Sequence, residues 1–462
     1  MLEKKIGLFF SYNSIIISGI ELRNNIRKMD RKTYYIITIG CQMNKSDSER
    51  IAAYLEEYGF SLSEKREEAD LVILVTCGIR QSAEDRIYGL IPQIKRDNKN
   101  AKIILTGCLS ERPDVIKRVK DRVDIWLPIK ELDSLADKLG LQKINEYSDY
   151  LDVVPRYESS FSAFVPIGNG CNNFCSYCVV PYARGREVYR EVETIIGEVE
   201  DLIKAGYKEI TLIAQNVNSY FAEFNGKNID FADLLKMVND LDGYFWLRFA
   251  TSHPKDMSTK LIQTIARCKK VCEHVHLPAQ AGDNDVLKAM NRRYTIEHYK
   301  GLINKICEEF KEQKPDALPV SLTTDIIVGF PGEIEEQFEK TVELFKEVKY
   351  DVAYVAQYSP RYGTVSAKME DNVSAEEKKR REDKLMCILE KTLAENNKPY
   401  LGKKVEVIFE SIDKKHGNMI AKMRTAKIVK LPNVNDEKLI GKFGKVKINK
   451  IDDFGFVGEI VN

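Results

Sequence analysis

What the 462-residue chain lacks narrows its class first. It has almost no net charge: 71 Lys and Arg stand against 70 Asp and Glu, a formal +1. Any basic surface for a polyanion therefore has to be local. It has no uninterrupted apolar run of about 18 residues, which argues against a membrane-spanning helix. Its ten cysteines are too sparse for a disulfide framework. Reduced thiols serving as metal ligands, in a cytosolic setting, fit better. What is present is the balance of a full-sized globular core, 44% apolar and 31% charged residues, in a chain long enough for several domains.

Lys4 and Lys5 precede a partly apolar stretch from Ile6 to Ile20, interrupted by Ser11, Asn13 and Ser14. No small-x-small cleavage site follows, so residues 1–32 read as a leader with little structure, 1–28 as dispensable, and Met29 as an alternative start. From Tyr34, apolar runs ending at Ile39, Val75 and Leu105 predict buried parallel strands. The stretches 46–58, 83–95 and 114–119 predict the helices between them; Ile51, Ala52, Leu55 and Tyr58 mark the buried face of the first. Such βα units build an open, doubly wound parallel sheet, here assigned to residues 33–145. The polar segment 145–162 reads as a linker.

A second βα series spans 160–397, with strands expected at 163–167, 210–214, 246–250, 275–277, 322–328 and 352–357. Six units are two short of the eight-fold barrel, which predicts an open (β/α)6 partial TIM barrel with its functional groups at the C-terminal strand ends. A helix is expected from Ser374 to about Asn396, opened by a capping box reaching Glu377. Its Lys378-Lys379-Arg380-Arg381 run reads as a solvated face. Beyond Pro399, short strands at 404–409, 420–428, 444–450 and 457–461 predict a small β-barrel over 398–462. Residues 401–462 carry 12 Lys and one Arg against eight acids, which makes this barrel a candidate nucleic-acid platform.

Two sets of cysteines carry chemistry. Cys171, Cys175 and Cys178, in Gly170-Cys171-Asn172-Asn173-Phe174-Cys175-Ser176-Tyr177-Cys178, follow the first barrel strand at spacing Cys-x3-Cys-x2-Cys. Thiolates suit iron–sulfur clusters and zinc. A structural zinc needs four protein ligands, and no fourth Cys or His lies nearby in sequence; His253 or His276 would close such a site only through the fold. Cys41, Cys77 and Cys108 each stand at the C-terminal end of a separate predicted parallel strand, beside Gly or Thr. Ligands bind in the crevice outside such ends, so the trio reads as a second iron–sulfur site with an open iron, the alternative being three core cysteines. Cys268, Cys272, Cys307 and Cys387 read as packing.

The barrel trio Cys171, Cys175 and Cys178, with aromatic Tyr177 just before its last cysteine, resembles the radical S-adenosylmethionine (SAM) enzymes. In that family three cysteines leave one iron free to chelate SAM, and one-electron cleavage yields a 5′-deoxyadenosyl radical. With both trios in view, residues 33–462 resemble the radical SAM methylthiotransferases, and the MiaB family most. The matches are Gly40-Cys41-Gln42-Met43-Asn44, Thr76-Cys77-Gly78-Ile79-Arg80, Thr106-Gly107-Cys108, Val179-Val180-Pro181-Tyr182-Ala183-Arg184-Gly185-Arg186-Glu187, Gln215-Asn216-Val217-Asn218, Thr251-Ser252-His253-Pro254 and Gly329-Phe330-Pro331-Gly332-Glu333. Asn169, Ala214, Ala279, Ala281 and Tyr362 depart from the family pattern; none of them is a cluster ligand. The C-terminal residues are similar to the TRAM domain, which binds RNA in this family.

The resemblance implies methylthiolation at C2 of N6-(dimethylallyl)adenosine at position 37 of tRNA. It implies two [4Fe-4S] clusters, held by Cys171, Cys175 and Cys178 and by Cys41, Cys77 and Cys108, and two SAM molecules per turnover, one as methyl donor and one as radical source. Tyr177, Gln215 and Asn216 are the further cofactor-binding candidates. Gln215, Asn216, His253 and Asp325 lie near strand ends, either to hydrogen-bond SAM or adenine or as satisfied structural groups. Arg184, Arg186 and Arg190 either contact RNA phosphates or pair with carboxylates. The implied partners are the tRNA anticodon stem-loop and an electron donor such as flavodoxin or its reductase, with no membrane, a monomeric state and a cytoplasmic location. Competing readings are a sister methylthiotransferase acting on threonylcarbamoyladenosine in tRNA or on a ribosomal protein, and a non-catalytic iron–sulfur RNA-binding protein. The last does not explain an open cluster at a barrel mouth.

Overall fold

Every residue of Leu71–Thr76 is buried, as a parallel strand covered by helices on both faces requires. The computed structural model describes residues 32–78, 81–452 and 455–461; the segment 1–28 expected to be dispensable, the rest of the expected leader up to residue 31, and the motif residues Ile79 and Arg80 lie outside them. The first sheet contains β1 (Thr33–Thr38), β2 (Ser61–Leu62), β3 (Leu71–Thr76), β4 (Lys102–Gly107) and β5 (Ile125–Leu127), all parallel in the order β2-β1-β3-β4-β5. Helices α1 (Gln42–Glu57), α2 (Gln81–Asp97) and α3 (Pro113–Val119) connect them. Alternate residues face opposite sides: Ile73 joins Tyr34, Ile51 and Leu55 in one core, while Val72 and Leu74 join Ile87, Ile91 and Ile103 in the other.

Helix α1 begins at Gln42, four residues before the expected start. Its opening turns bury Asn44, Ser46, Asp47, Ser48 and Arg50, polar residues that carry no hydrophobic period to read. The expected linker is also partly a packed segment. Asp149 accepts from the Leu151 amide at 2.8 Å and caps a turn that seats Tyr150, Leu151 and Val153 in the core of the first sheet.

The barrel strands are β6 (Ser162–Pro166), β9 (Glu209–Ile213), β12 (Trp246–Ala250), β13 (His274–His276), β14 (Ser321–Val328) and β15 (Val352–Gln357), with small hairpins β7 (Gly168–Asn169)/β8 (Val188–Tyr189) and β10 (Phe221–Phe224)/β11 (Lys227–Asp230) inserted. Two parallel trios, β12-β9-β6 and β13-β14-β15, are joined through a Leu247–Val271 bridge. Helices α4 (Val192–Lys204), α5 (Phe231–Asp240), α6 (Thr259–Arg267), α7 (Ile296–Gln313), α8 (Glu335–Val348) and α9 (Ala375–Asn397) jacket the outside. Ile195, Leu235, Ile262, Ile306, Phe338 and Leu385 supply the shared core. The barrel stays open between β6 and β15, and α1 lies against β6.

Ser374 caps α9 by accepting from the Glu377 amide at 3.2 Å. The basic run on this helix is not uniformly solvated. Lys378 and Arg381 are buried, because positions three apart share a helix face; they bind Asp371 and Glu333 at 2.6 and 2.7 Å. At the C-terminus β16 (Lys404–Asp413), β17 (Asn418–Met423), β18 (Ile428–Leu431), β19 (Phe443–Asp452) and β20 (Gly455–Val461) close a five-stranded barrel in the order β16-β17-β18-β20-β19. The run expected as one strand, 420–428, divides into two. The chain turns where Ala426 takes φ 62°, and Lys422 pairs back onto Ile428.

This small barrel docks on the N-terminal ends of the large barrel's strands. Trp246, Cys272 and Ile408 form the apolar centre of the contact. Around them Glu209 binds Arg248 at 2.6 Å and Lys422 at 2.7 Å, and Glu273 binds Arg424 at 2.7 Å. Among the described residues no helix is long and apolar enough to cross a membrane.

Candidate functional site

Strand register brings the amino-proximal cysteines to one sheet edge. β1, β3 and β4 are adjacent, with Thr38 beside Val75 and Thr76 beside Gly107, and Cys41, Cys77 and Cys108 follow their C-terminal ends. The loops touch. A Cβ on Gly40, at φ 131°, would come within 2.7 Å of the Cys77 Cβ, and one on Gly78 within 3.2 Å of the Cys108 Cβ. Glycine is what lets these thiol-bearing loops lie so close together.

Across from them, the Cys171–Cys178 loop leaves β7 at the C-terminal rim of the large barrel. One cavity of about 950 Å³ is lined by Cys41, Cys171, Cys175 and Cys178, by Tyr177, Gln215, His253, Arg292 and Asp325, and by apolar Ile327, Val355 and Met386. Cys77 and Cys108 are buried and do not line it. All six thiols are free of disulfides.

Burial keeps the barrel thiols in their neutral form in the absence of a metal. Burial pushes the Cys178 thiol up, and the neighbouring Cys175, Cys171 and Cys108 raise it further. Burial likewise raises Cys171, against hydrogen bonding from Asn173. Buried thiols of this kind ionise when a metal takes the charge. A bare tetrahedral zinc, with Zn–S bonds of ~2.3 Å, needs its sulfurs roughly 4 Å apart. Among the described residues no three His, Cys, Asp or Glu side chains converge on such a point. The histidines that might have completed a zinc site are engaged elsewhere: His253 Nδ1 accepts from the Lys255 amide at 3.1 Å, and His276 contacts Thr323 and Asp325 at 3.0 and 3.4 Å. The remaining donors are thiols, a set of the kind that iron–sulfur clusters use.

The polar candidates behave differently from one another. Gln215 Oε1, Asn216 Oδ1 and Ser252 Oγ are buried at the rim without a protein partner. Unpaired buried oxygens are costly, and those of Gln215 and Ser252, which line the cavity, are available to a ligand; Asn216 does not line it. Asn216 is half committed, its Nδ2 donating to Asp256 Oδ2 at 2.7 Å. Burial and the nearby Arg292 and Lys255 cations hold the His253 imidazole neutral, with a pKa lowered to about 2. Burial also pushes the Tyr177 phenol well up.

Of the three arginines considered for RNA, only Arg186 is exposed, its guanidinium 4.5 Å from the Phe174 ring. Arg190 binds Glu198 at 2.7 Å, and Arg184 is buried on Asp47 at 2.6 Å. Both therefore follow the carboxylate alternative. Arg292 was not singled out from the sequence, where it belongs to no spacing pattern. Its Nη1 lies 3.6 Å from Cys175 Sγ, while Nη2 and Nε reach the Pro278 carbonyl and the Tyr294 hydroxyl, both at 3.0 Å. Packing holds for Cys268 and Cys272, which are buried, and not for Cys307 and Cys387, which are exposed.

Comparison with known proteins follows the same division. Residues 33–128 match the Uncharacterized protein family UPF0004, 165–345 the Radical SAM superfamily and 398–461 the TRAM domain. The tRNA-2-methylthio-N(6)-dimethylallyladenosine synthase of Alkaliphilus oremlandii is 42% identical over 97% of this chain and 96% of its own length. Proteins of the same name from Thermoanaerobacter pseudethanolicus and Clostridium novyi are 42% and 39% identical, over 93% and 96% of this chain and 92% and 100% of theirs. Among solved structures, the radical S-adenosylmethionine methyltransferase TsrM from Kitasatospora setae superposes with a TM-score of 0.52 at 15% identity, covering 73% of this chain and 77% of that one. That likeness speaks to fold alone.

Proposed function

The chain belongs to the tRNA-2-methylthio-N(6)-dimethylallyladenosine synthase family, and from that membership we propose how its site works. The enzyme is a radical SAM methylthiotransferase that converts N6-(dimethylallyl)adenosine at position 37 of tRNA to its 2-methylthio derivative. The observation that carries this reading is that Cys41, whose loop lies against Cys77, lines one cavity together with Cys171, Cys175 and Cys178. The domains are residues 33–145, 160–397 and 398–462, after a leader at 1–32.

Cys171, Cys175 and Cys178 would hold one [4Fe-4S] cluster and Cys41, Cys77 and Cys108 the other. When bound, the clusters and two molecules of SAM supply the radical, the sulfur and the methyl group. Such chemistry suits a C2–H that ordinary acids and bases do not activate, and His253, neutral and turned to a backbone amide, is not placed to act as one. Gln215 presents an unpaired oxygen to the cavity for the polar groups of SAM or adenine, while Asn216 beside it stands outside the cavity lining. Tyr177 and Arg292 wall the cluster loop. Ile327, Val355 and Met386 form an apolar wall suited to the dimethylallyl group.

The small barrel offers the RNA surface. Lys404 pairs in register with Lys447, and Lys445, Lys447 and Lys450 are all exposed on β19. Three of the domain's other cations, Lys422, Arg424 and Lys427, are consumed in docking. Cavity and lysine ridge stand at opposite poles of the large barrel, a separation that suits an extended polyanion such as the anticodon arm. A monomer in the cytoplasm, supplied with electrons by flavodoxin or its reductase, completes the reading. Mass analysis of tRNA nucleosides from a deletion strain tests it. The methylthio group should be absent and should return with the wild-type gene. Intact modification, or loss confined to threonylcarbamoyladenosine or a ribosomal protein, would overturn it.

A further inference from the structure

Arg184 ends the short turn Val180–Arg184, just beyond the Cys171–Cys178 loop, and only 2% of its side chain is exposed. Its Nη2 donates to Asp47 Oδ2 at 2.6 Å and to Asn44 Oδ1 at 2.9 Å, and its Nη1 to Asn169 Oδ1 at 3.3 Å. Asn44 in turn donates through Nδ2 to the carbonyls of Ile39 at 2.6 Å and Thr76 at 3.0 Å. Those carbonyls belong to the strand ends that carry Cys41 and Cys77. The Asn44 Oδ1 that Arg184 engages is also 3.8 Å from Cys41 Sγ. One guanidinium thus joins the loop of one trio to the side chain that pins two strand ends of the other.

Adhesion alone does not call for this arrangement. A buried ion pair holds two surfaces together no better than well-packed apolar residues of similar volume. What the pair adds is fixed charge: a cation on the same Asn44 oxygen that lies beside Cys41 Sγ, with a carboxylate also on that cation. Charge near a thiolate-bound cluster shifts its reduction potential.

We propose that Arg184 is a positioning residue that sets the spacing of the two thiol trios and supplies the charge that tunes the potential of the cluster on Cys41, Cys77 and Cys108. This rests on the two-cluster reading, and the test separates the two. In full-length protein with Cys171, Cys175 and Cys178 replaced by Ala, only the amino-proximal cluster assembles, at about four irons. Its midpoint potential is read by a titration followed by electron paramagnetic resonance. Arg184→Met should lower the midpoint, Asp47→Asn should raise it, and Arg184→Lys should leave it near the parent value.

A passive brace would shift the first two variants in the same direction or not at all, and either result overturns the proposal. If Arg184→Met does not fold, Asp47→Asn decides alone, an unchanged or lowered midpoint being fatal. With all six cysteines present, Arg184→Met should also raise the 5′-deoxyadenosine formed per methylthiolated nucleoside by about tenfold, as misplaced reactants lose productive turnover; an unchanged ratio overturns the spacing role. Unsubstituted protein that never holds more than about four irons would instead sink the two-cluster reading itself.

Discussion

The two ends of the large barrel are built from similar materials to opposite purposes. At the N-terminal end, buried charges are matched: Glu209 with Arg248 and Lys422, Glu273 with Arg424 and Lys314. Arg248 also spends its remaining donors on the carbonyls of Met423 and Arg424 at 2.8 and 2.9 Å. At the C-terminal end, buried oxygens of Gln215, Asn216, Asn218 and Ser252 lack a protein partner, and thiols are raised by burial. Polar satisfaction distinguishes the two better than burial does. A saturated network has no free valence for a ligand and serves docking; unsaturated groups around a cavity are poised for one.

The sharpest way to break that contrast is at the thiols. Cys178→Ala should reduce anaerobic 5′-deoxyadenosine formation to background, whereas Cys41→Ala should abolish methylthiolated product while SAM cleavage persists. Product formation by either variant would remove the chemical distinction between the poles.

At the docking end the loss should be of stability. Glu209→Ala leaves the buried Arg248 without a carboxylate and Lys422 with Glu410 alone, a defect worth about 3–5 kcal/mol, measurable by urea denaturation. A change of less than about 1 kcal/mol would show the network to be ornamental. Acid provides a milder version of the same insult. Burial raises the Glu209 pKa, but Arg248 and Lys422 outweigh it and lower the value from 4.5 to about 2. A depressed carboxylate contributes stability that is complete above pH 4.5 and is lost as pH falls toward 2. Unfolding measured across that window should show a slope that Glu209→Gln flattens.

Smaller effects refine the rim. Gln215→Leu removes an unpaired buried oxygen, so its melting temperature should hold or rise while SAM affinity falls by about tenfold, roughly 1.4 kcal/mol. A destabilised variant with unaltered SAM affinity would move Gln215 into the scaffold. Smallest of all, Cys307→Ser and Cys387→Ser should alter stability by less than about 0.5 kcal/mol and leave iron content intact, as befits exposed thiols that do not line the cavity.

Much of this architecture is legible in the chain. The parallel strands announce themselves as short runs of Ile, Val and Leu, and the cysteines that follow them inherit a location from the rule that strand ends meet ligands. The start of α1 is not legible. Asn44, Asp47 and Arg50 are buried there by a neighbouring domain, and polar residues buried by tertiary contact leave no periodic trace. The same reason hides Arg292 beside Cys175 and turns Arg184 and Arg190 from candidate phosphate ligands into internal ion pairs. Lys378 and Arg381 show the error at helix scale: a basic run suggests solvent, yet a helix divides any run between two faces.

Sequence alone determined the family and the order of its three matched regions and nominated six thiols as metal ligands, because ligand type and local spacing are covalent properties of the chain. Only the folded molecule decided which charges meet. It set three cations of the C-terminal barrel against the carboxylates of the large barrel and carried Arg184 across a domain boundary to Asp47. Coulombic and hydrogen-bond partners are chosen by distances in space, and residues 137 positions apart acquire such a distance only when separate layers pack.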